Sequence, residues 1–245
     1  GQLRHLYQQG ASKALFARKR LGTEAIFINT SGGITGGDEL NGYLETSETA
    51  CLSVTTQGCE RIYKSHTCVN GTVNNRLVVR DQSSLFWLPQ ETLFYDGGHL
   101  ERRLSIDASS EATALIVEPI LFGRLAMGEH KLSGNLQDCI SLSIDGQLAF
   151  QDATHFSGNI TETLDRPAVL AGARATALVV FSSRFASAVL PKIRDMLNET
   201  SGASVTQDHL LIARLIAPEG MTLRRMLIPI ITLLTQTDLP KTWRL

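Results

Sequence analysis

Residues 141–151 read SLSIDGQLAFQ, and this stretch indicates a β-hairpin more clearly than any other part of the chain. Leu142 and Ile144 alternate with serines before the turn, and Leu148 and Phe150 keep the same two-residue spacing after it. Such alternation places every second side chain on one face of a strand. The Asp-Gly pair between the two runs supplies the positive φ angles that a tight two-residue turn requires.

Alternating apolar residues and turn pairs of this kind recur through the first two thirds of the chain. Asn-Gly or Asp-Gly pairs stand at residues 41–42, 70–71 and 96–97, and we interpret each as a tight turn between strands. We find no repeat of fixed length, so the sequence does not predict a regular solenoid with a readable motif. Residues 1–176 are therefore predicted to be mainly β.

Residues 177–245 change character and predict a small α+β portion. Residues 177–181 form a continuous apolar run that fits a buried strand, and two more strands are predicted within residues 204–217. Two helices complete the order strand–helix–strand–strand–helix. Because no Pro- or Ser-rich linker separates the two parts, we interpret residues 1–245 as a single domain.

The two predicted helices rest on different signals. The first is indicated by apolar residues at helical spacing over residues 189–197, with Pro191 in the first turn, where a missing N–H is tolerated. The second is predicted over residues 223–236, with Thr222 as its N-cap and Pro229 as an interruption that kinks it. This second helix is apolar on most sides, which predicts deep burial or cover by a partner.

Composition and charge exclude several classes of protein. Of the 245 residues, 43% are hydrophobic and 19% are charged, and the formal net charge is -1. Because this balance supplies no broad positive field, we expect neither nucleic acid nor an anionic membrane surface as a partner. The longest uncharged apolar stretch, residues 226–237, is shorter than the about 20 residues that a membrane span needs. Residues 1–20 lack the apolar run of a secretory signal, and since the chain begins with Gly we expect a leader before it.

The cysteines and histidines do not form a metal-binding pattern. Cys51, Cys59, Cys68 and Cys139 include no Cys-x-x-Cys pair, and the six histidines include no His-x-His or His-x-x-x-His pair. We expect free thiols in a reducing cytosol, and we expect most of them to be ordinary core or strand residues. A minor alternative is that Cys59, His66 and Cys68 meet across a pair of strands and bind nickel or zinc.

A glycine-rich segment, residues 28–38, reads INTSGGITGGD and is the most distinctive motif of the sequence. Four glycines within six residues indicate a sharply turning backbone or a close approach to it. No Lys-Ser or Lys-Thr pair follows the last glycine and no helical pattern begins there, so a phosphate-binding loop is not supported. Two interpretations stay open: a bend between two strands, and a backbone surface that a partner contacts.

Residues 87–98, WLPQETLFYDGG, place two carboxylates in an aromatic-rich stretch that begins with Trp87. Apolar surroundings raise carboxyl pKa values, so Glu91 and Asp96 suggest the acid–base pair of a β-rich carbohydrate-active enzyme. The alternative is that both are solvated or salt-bridged loop residues. No Gly-x-Ser-x-Gly elbow marks a serine nucleophile anywhere in the chain.

Residues 122–129, FGRLAMGE, follow Glu118 and predict a bend. Glycines flank a short apolar stretch, and we expect Arg124 and Glu129 to form an ion pair across the bend or to meet charges on a partner.

Taken in order, these segments resemble the UreD family of urease accessory proteins. The likeness runs from about Gln9 to Trp243 and ends in a Leu-Pro-Lys-Thr-Trp tail similar to the family's Leu-Pro-Arg-x-Trp. Each motif is weak by itself, whereas the ordered set is distinctive. The matching landmarks are Gly32, Gly33, Gly36, Gly37, Asp38, Thr55, Thr56, Tyr63, Ser65, Trp87 to Glu91, Tyr95 to Gly97, Gly123, Arg124, Gly128 and Glu129.

The resemblance implies a mainly β fold of irregular β-helical or layered sheets, with two helices near the C-terminus. It implies a non-enzymatic cytoplasmic scaffold that joins the urease apoprotein to UreF-type and UreG-type accessory proteins. It also implies that nickel passes along the protein transiently and that no cofactor is tightly bound. Oxygen ligands hold nickel weakly enough to release it, and the candidate carboxylates are Asp38, Glu91, Asp96, Glu118 and Glu129.

Overall fold

The residues that the structure, a computed structural model, describes are 2–18, 22–207 and 209–244, and they form two β-sheets and three α-helices. The strands are β1 (Ser12–Arg18), β2 (Thr23–Asn29), β3 (Glu39–Thr46), β4 (Cys51–Thr56), β5 (Glu60–Ile62), β6 (Gly71–Val79), β7 (Ser84–Trp87), β8 (Thr92–Phe94), β9 (Gly98–Ala108), β10 (Thr113–Phe122), β11 (Ser133–Ile144), β12 (Gln147–Asn159), β13 (Ala175–Ser182), β14 (Gly202–Thr206) and β15 (Leu210–Ala217). The helices are α1 (Ile160–Asp165), α2 (Ala186–Asp195) and α3 (Gly220–Thr235). Within these described ranges, no helix combines the length and the hydropathy needed to cross a bilayer.

From β2 to β11 the chain coils by alternating between the two sheets. Sheet A receives β2, β4, β7 and β10, and sheet B receives β3, β6, β9 and β11. Neighbouring strands of this coil pair in parallel within each sheet. The short strands β5 and β8 continue the parallel pairing beside the end of β10. The layered, irregular β-helical fold that the resemblance implies is therefore confirmed.

Antiparallel strands extend both sheets beyond the coil. Strand β1 pairs with β2 at one edge of sheet A, and β13, β15 and β14 follow β10 at the other. Strand β12 pairs with β11 at the edge of sheet B. The predicted order strand–helix–strand–strand–helix is confirmed from β13 to α3, and its three strands continue sheet A instead of forming a sheet of their own.

The hairpin predicted over residues 141–151 is confirmed. Strands β11 and β12 are joined by Asp145 and Gly146, whose φ angles are 49° and 78°. Ser141 pairs with Gln151, although one register shift interrupts the ladder nearer to the turn. A tight two-residue turn needs positive φ at both central residues, and this requirement was the reason for interpreting Asp-Gly as a turn.

The interpretation of residues 41–42 and 70–71 as tight turns is wrong. Gly42 lies inside β3, and Gly71 begins β6, which runs parallel to β3. These glycines allow close approach instead: a Cβ added at Gly42 would lie 2.2 Å from Asn75 Oδ1. Of the three pairs at residues 41–42, 70–71 and 96–97, only the last forms the predicted turn, which lies between β8 and β9.

Both predicted helices are present as α2 and α3, with one correction to α2 and two to α3. Helix α2 begins at Ala186, so Pro191 lies in its second turn and the prediction of Pro191 in the first turn is wrong. The N-cap of α3 is Glu219, whose carboxylate accepts hydrogen bonds from the amides of Met221 (3.1 Å) and Thr222 (2.9 Å). The prediction of Thr222 as N-cap is wrong, since its hydroxyl donates to Glu219 from within the first turn. Pro229 lies inside α3 without interrupting the helix. Helix α1 was not predicted because its 6 residues are too few to show a helical period.

Apolar side chains fill a core on each side of sheet A. The inner core joins sheet A to sheet B and contains Leu77, Val79, Leu85, Ile106, Ile116, Ile140 and Leu142. The outer core lies beneath α2, α3 and the C-terminal tail and contains Phe181, Ile193, Leu215, Leu223, Leu227, Ile231 and Trp243. The predicted burial of α3 is therefore confirmed for one of its faces.

A charged cluster is buried between the two sheets. Arg102 of β9 donates to both carboxylate oxygens of Asp138 on β11, at 2.9 and 2.6 Å, and to Glu118 of β10 at 2.6 Å. Glu118 also accepts from the indole N–H of Trp87 at 2.7 Å, and Arg102 donates to Thr92 at 3.1 Å. Burial raises the pKa of Glu118, although the Arg102 guanidinium opposes that shift. Buried charges need such complete pairing, and the cluster spans sheets A and B.

Replacing Arg102 with methionine is expected to lower the free energy of unfolding by about 3–5 kcal/mol, because two buried carboxylates would lose their counter-charge. Glu118→Gln is the matched comparison. It keeps an acceptor for Trp87 and leaves the Arg102–Asp138 pair intact, so its cost should be clearly smaller. Urea unfolding followed by circular dichroism measures both values. Equal losses in the two variants would contradict a dominant role for the guanidinium.

Candidate functional site

Four connections that carry the chain from sheet A to sheet B lie side by side, and they contain most of the predicted motifs. We call this surface the motif edge; it comprises residues 30–38, 57–70, 88–97 and 123–132. Because the coil is parallel, all four connections leave sheet A at the same end. They are joined by backbone hydrogen bonds from Ile34 to Arg61 (2.8 Å), Tyr95 to Ile62 (3.2 Å), Gly97 to Ser133 (2.8 Å) and Gly123 to Phe94 (2.8 Å).

The glycine-rich segment is the bend between β2 and β3, and it packs against the next connection. A Cβ added at Gly33 would lie 2.4 Å from the Tyr63 ring, and one at Gly36 would lie 2.2 Å from Ser65 Oγ. Asp38 accepts from the amide of Thr35 at 2.9 Å and so fixes the bend. The interpretation as a bend between strands is confirmed. Gly33 and Gly36 are needed because a neighbouring connection leaves no room for side chains, whereas Gly32 and Gly37 have open space and supply positive φ angles of 80° and 90°.

An aromatic pair and an arginine connect the second, third and fourth connections. Tyr63 and Tyr95 make an edge-to-face contact at 5.4 Å between ring centroids, and Arg124 Cζ lies 4.4 Å from the centre of the Tyr95 ring. The predicted ion pair is confirmed, with Arg124 Nη2 at 2.8 Å from Glu129 Oε1. The hydrogen bond from Arg124 holds the pKa of Glu129 below its usual range. Glu129 also accepts from the amide of Asp96 at 3.3 Å.

Arg224 of α3 joins the Trp-Leu-Pro-Gln-Glu motif to the C-terminal tail. It donates to Glu91 Oε1 at 2.8 Å, to Gln90 Oε1 at 2.8 Å and to the carbonyl of Thr242 at 2.8 Å. Its guanidinium lies 4.8 Å from the Trp243 ring, whose indole N–H donates to the carbonyl of Leu88. Sequence reasoning did not single out Arg224. The sequence offered one signal for it: Arg224 lies near the start of a predicted helix, and a long apolar run follows it.

The five carboxylates predicted to line a nickel path occupy four different surroundings. Glu118 is in the buried cluster between the sheets, and Glu91 is paired with Arg224. Asp38 fixes the glycine bend, whereas Asp96 and Glu129 are neighbours where the third connection meets the fourth, joined by the hydrogen bond from the Asp96 amide to Glu129. No group of three His, Cys, Asp or Glu side chains within the described ranges lies close enough to hold a metal ion. Their assignment to nickel stays a prediction.

Glu91 and Asp96, the pair suggested for a carbohydrate-active enzyme, belong to separate hydrogen-bond networks. Glu91 is 4% exposed and accepts from Arg224 and from the Cys59 thiol. Asp96 accepts from the amide and the hydroxyl of Ser133, at 2.8 and 3.0 Å. Each carboxylate thus serves as a fixed acceptor for protein groups, which does not favour an acid–base pair acting on one substrate.

The four cysteines form no disulfide with one another, as predicted. Cys51 and Cys139 lie in β4 and β11, but Cys59 and Cys68 lie in the second connection, so the expectation that at least three are core or strand residues is wrong. Burial, followed by the neighbouring Glu91 carboxylate, raises the pKa of the Cys59 thiol to about 12. Cys59, His66 and Cys68 do not form a common metal-binding group.

Gly36→Ala tests the close packing of the motif edge without changing backbone preference, because Gly36 is not among the residues with positive φ. The new methyl group would overlap Ser65 Oγ and the carbonyl of Val69, so we expect a loss of about 1–3 kcal/mol in the free energy of unfolding. Gly58→Ala is the control, since no atom lies within 4 Å of its added Cβ. Denaturant unfolding compares the two, and equal stability would refute the packing argument.

Comparison with known proteins agrees with this arrangement of motifs. A family model described as UreD urease accessory protein matches residues 1–244. Three relatives named Urease accessory protein UreD come from Ruegeria pomeroyi, Roseobacter denitrificans and Agrobacterium fabrum. The first is 43% identical over 242 residues, covering 98% of this chain and 94% of that protein. The second is 40% identical, covering 98% and 88%, and the third is 37% identical, covering 100% and 86%. The chain belongs to the UreD family of urease accessory proteins.

Proposed function

We propose that this protein is a non-enzymatic scaffold of urease maturation, which joins the urease apoprotein to UreF-type and UreG-type accessory proteins and assists nickel insertion. The observation that carries the proposal is how the motif residues are used. Their glycines and carboxylates form backbone bends, internal hydrogen bonds and ion pairs at one edge of the coil. Residues that form bends and internal contacts shape a surface that other proteins can bind, and they do not present reactive groups.

Nickel is treated in this proposal as cargo that the protein transfers. Asp96 and Glu129 are the favoured carriers among the predicted carboxylates, because the two residues are neighbours on the motif edge through the Asp96 amide and are only half-buried. Carboxylate oxygens suit a transient nickel ion because they bind it less tightly than thiolates do. Glu118 and Glu91 are less suited, since both carboxylates are buried, whereas Glu129 is paired with an arginine that is itself exposed.

We also propose that the protein works in the cytoplasm. Two features support this location: four cysteines that form no disulfide with one another, and a fold with large apolar cores. We further propose that the whole chain acts as one domain, because sheet A runs continuously from β1 to β14 through both of its parts.

Complementation of cells that lack this protein tests the proposal. Wild-type protein should restore urease activity and should co-purify with the apoprotein and the UreF-type partner. Glu129→Gln should lower urease activity and the nickel content of urease by roughly 10-fold while the complex still assembles. Glu111→Gln is the control, since Glu111 is exposed in a turn at the opposite end of the coil.

The outcomes separate the two parts of the proposal. Full nickel content with Glu129→Gln would refute a role for that carboxylate in nickel transfer and leave the scaffold intact. Urease activation that needs no contact between this protein and either partner would refute the scaffold itself.

A further inference from the structure

We propose that a basic and aromatic patch on the motif edge docks an acidic segment of a partner protein. We call this surface the Arg–Tyr patch; it comprises the exposed side chains of Arg61, Tyr63, Lys64 and Arg124, and Tyr63 and Arg124 contact the buried ring of Tyr95. Carboxylates of the segment would meet Arg61 and Lys64, and one apolar side chain would enter the hollow beside the patch. This inference rests on the proposed scaffold function and assigns a surface and a ligand chemistry to it.

The Arg–Tyr patch faces away from the core. Ile62 pairs with Phe94 across β5 and β8, and both are fully buried, so Arg61 one position earlier points outward. Tyr63 is 41% exposed, and the Arg124 side chain is 47% exposed. The contacts of Tyr95 with Tyr63 and Arg124 hold these groups in fixed positions. A preorganised surface loses little side-chain entropy when a partner binds.

The exposed ionic side chains of the motif edge all carry positive charge. They are Arg61, Lys64, Arg124 and Lys131. The carboxylates of the same edge, by contrast, are half-buried or buried and accept internal hydrogen bonds. Arg61, Lys64 and Lys131 form no salt bridge with any residue in the described ranges. In a chain with a formal net charge of -1, these exposed cations without a salt bridge favour an acidic partner surface.

A hollow of about 380 Å³ adjoins the Arg–Tyr patch at the fourth connection. Its apolar lining includes Leu121, Leu125 and Met221, and Met221 is 44% exposed. Four charged side chains also line it: Glu91 and Arg224, which pair with each other, Arg174, and Glu219, which is occupied as the N-cap of α3. Met127, which is 79% exposed, lies in the same short turn as Leu125. Exposed methionines beside an apolar hollow fit a docked side chain from a partner.

The composition of this surface distinguishes a protein segment from nucleic acid. Tyrosine, arginine and methionine are enriched at protein interfaces and supply most of their binding energy. A nucleic acid would need a basic surface that continues along its backbone, whereas the patch ends at an apolar hollow with the Glu219 carboxylate in its lining. The acidic protein segment is therefore the occupant that the structure favours.

Binding measurements on folded variants test the docking site. The probes are purified urease apoprotein and purified UreF-type partner, each measured separately at about 50 and 300 mM salt, where screening of exposed charges differs strongly. The double variant Arg61→Glu/Lys64→Glu should weaken binding to one probe by about 10-fold or more at low salt and by less at high salt. Met221→Ser should weaken the same interaction about equally at both salt concentrations.

The control is a double variant with the same change in charge elsewhere, Arg103→Glu/Lys192→Glu, because both residues are exposed on other faces. It should leave binding to both probes within about two-fold of wild type. Unchanged binding of the Arg61→Glu/Lys64→Glu variant to both probes, or an equal loss in the control, would overturn the docking site.

A single-stranded RNA of mixed sequence serves as the competing probe. RNA binding that the Arg61→Glu/Lys64→Glu variant loses while it keeps both protein interactions would also overturn the docking site. If wild-type protein binds neither urease nor the UreF-type partner, the proposed scaffold function fails and the docking site fails with it. If wild-type protein binds a probe and the patch variants bind that probe equally tightly, the scaffold stands and the docking site alone is wrong.

Discussion

The Arg102 guanidinium, paired with Glu118 and Asp138 between the two sheets, is the constraint on which the rest of the structure depends. A parallel coil whose turns differ in length has few ways to fix how one sheet lies over the other. Apolar contacts between sheets tolerate small shifts, whereas bidentate hydrogen bonds do not. Arg102 bonds to Asp138 in its own sheet and to Glu118 across the core, so it sets that relative position. It also bonds to Thr92, where the chain turns toward the motif edge.

Fixing the two sheets in this way determines what the motif edge can present. Backbone hydrogen bonds between successive connections, and glycines where they touch, leave little freedom for each bend. Carboxylates at such bends become acceptors for amides, as Asp38 and Asp96 do. Long cationic side chains reach past the bends into solvent because their stems are flexible. One edge therefore has buried negative groups below and positive groups above, and this separation underlies both the proposed nickel carriers and the proposed docking site.

Local signals in the sequence predicted the elements that depend on local physics. The Asp145–Gly146 hairpin needs two positive φ angles, the helices need an apolar period, and the Arg124–Glu129 pair spans one short bend. Parallel pairing of strands far apart in sequence leaves no such mark, so the glycine at residue 42 was interpreted as a turn although it serves a close contact within the sheet. The partners of Arg224 were equally unpredictable, because Glu91 and Thr242 reach it only through the tertiary fold.

The same distinction explains why net charge alone does not describe the surface. A formal charge of -1 counts every ionised group equally, and from it the sequence predicted no broad positive field. The structure sorts those groups by their partners, since Glu91, Glu118, Asp138 and Glu129 neutralise arginines or accept internal hydrogen bonds. What a partner meets is the remainder, and on the motif edge that remainder is positive. Charge balance over a whole chain thus restricts its long-range field, while recognition depends on which charges the fold leaves unpaired.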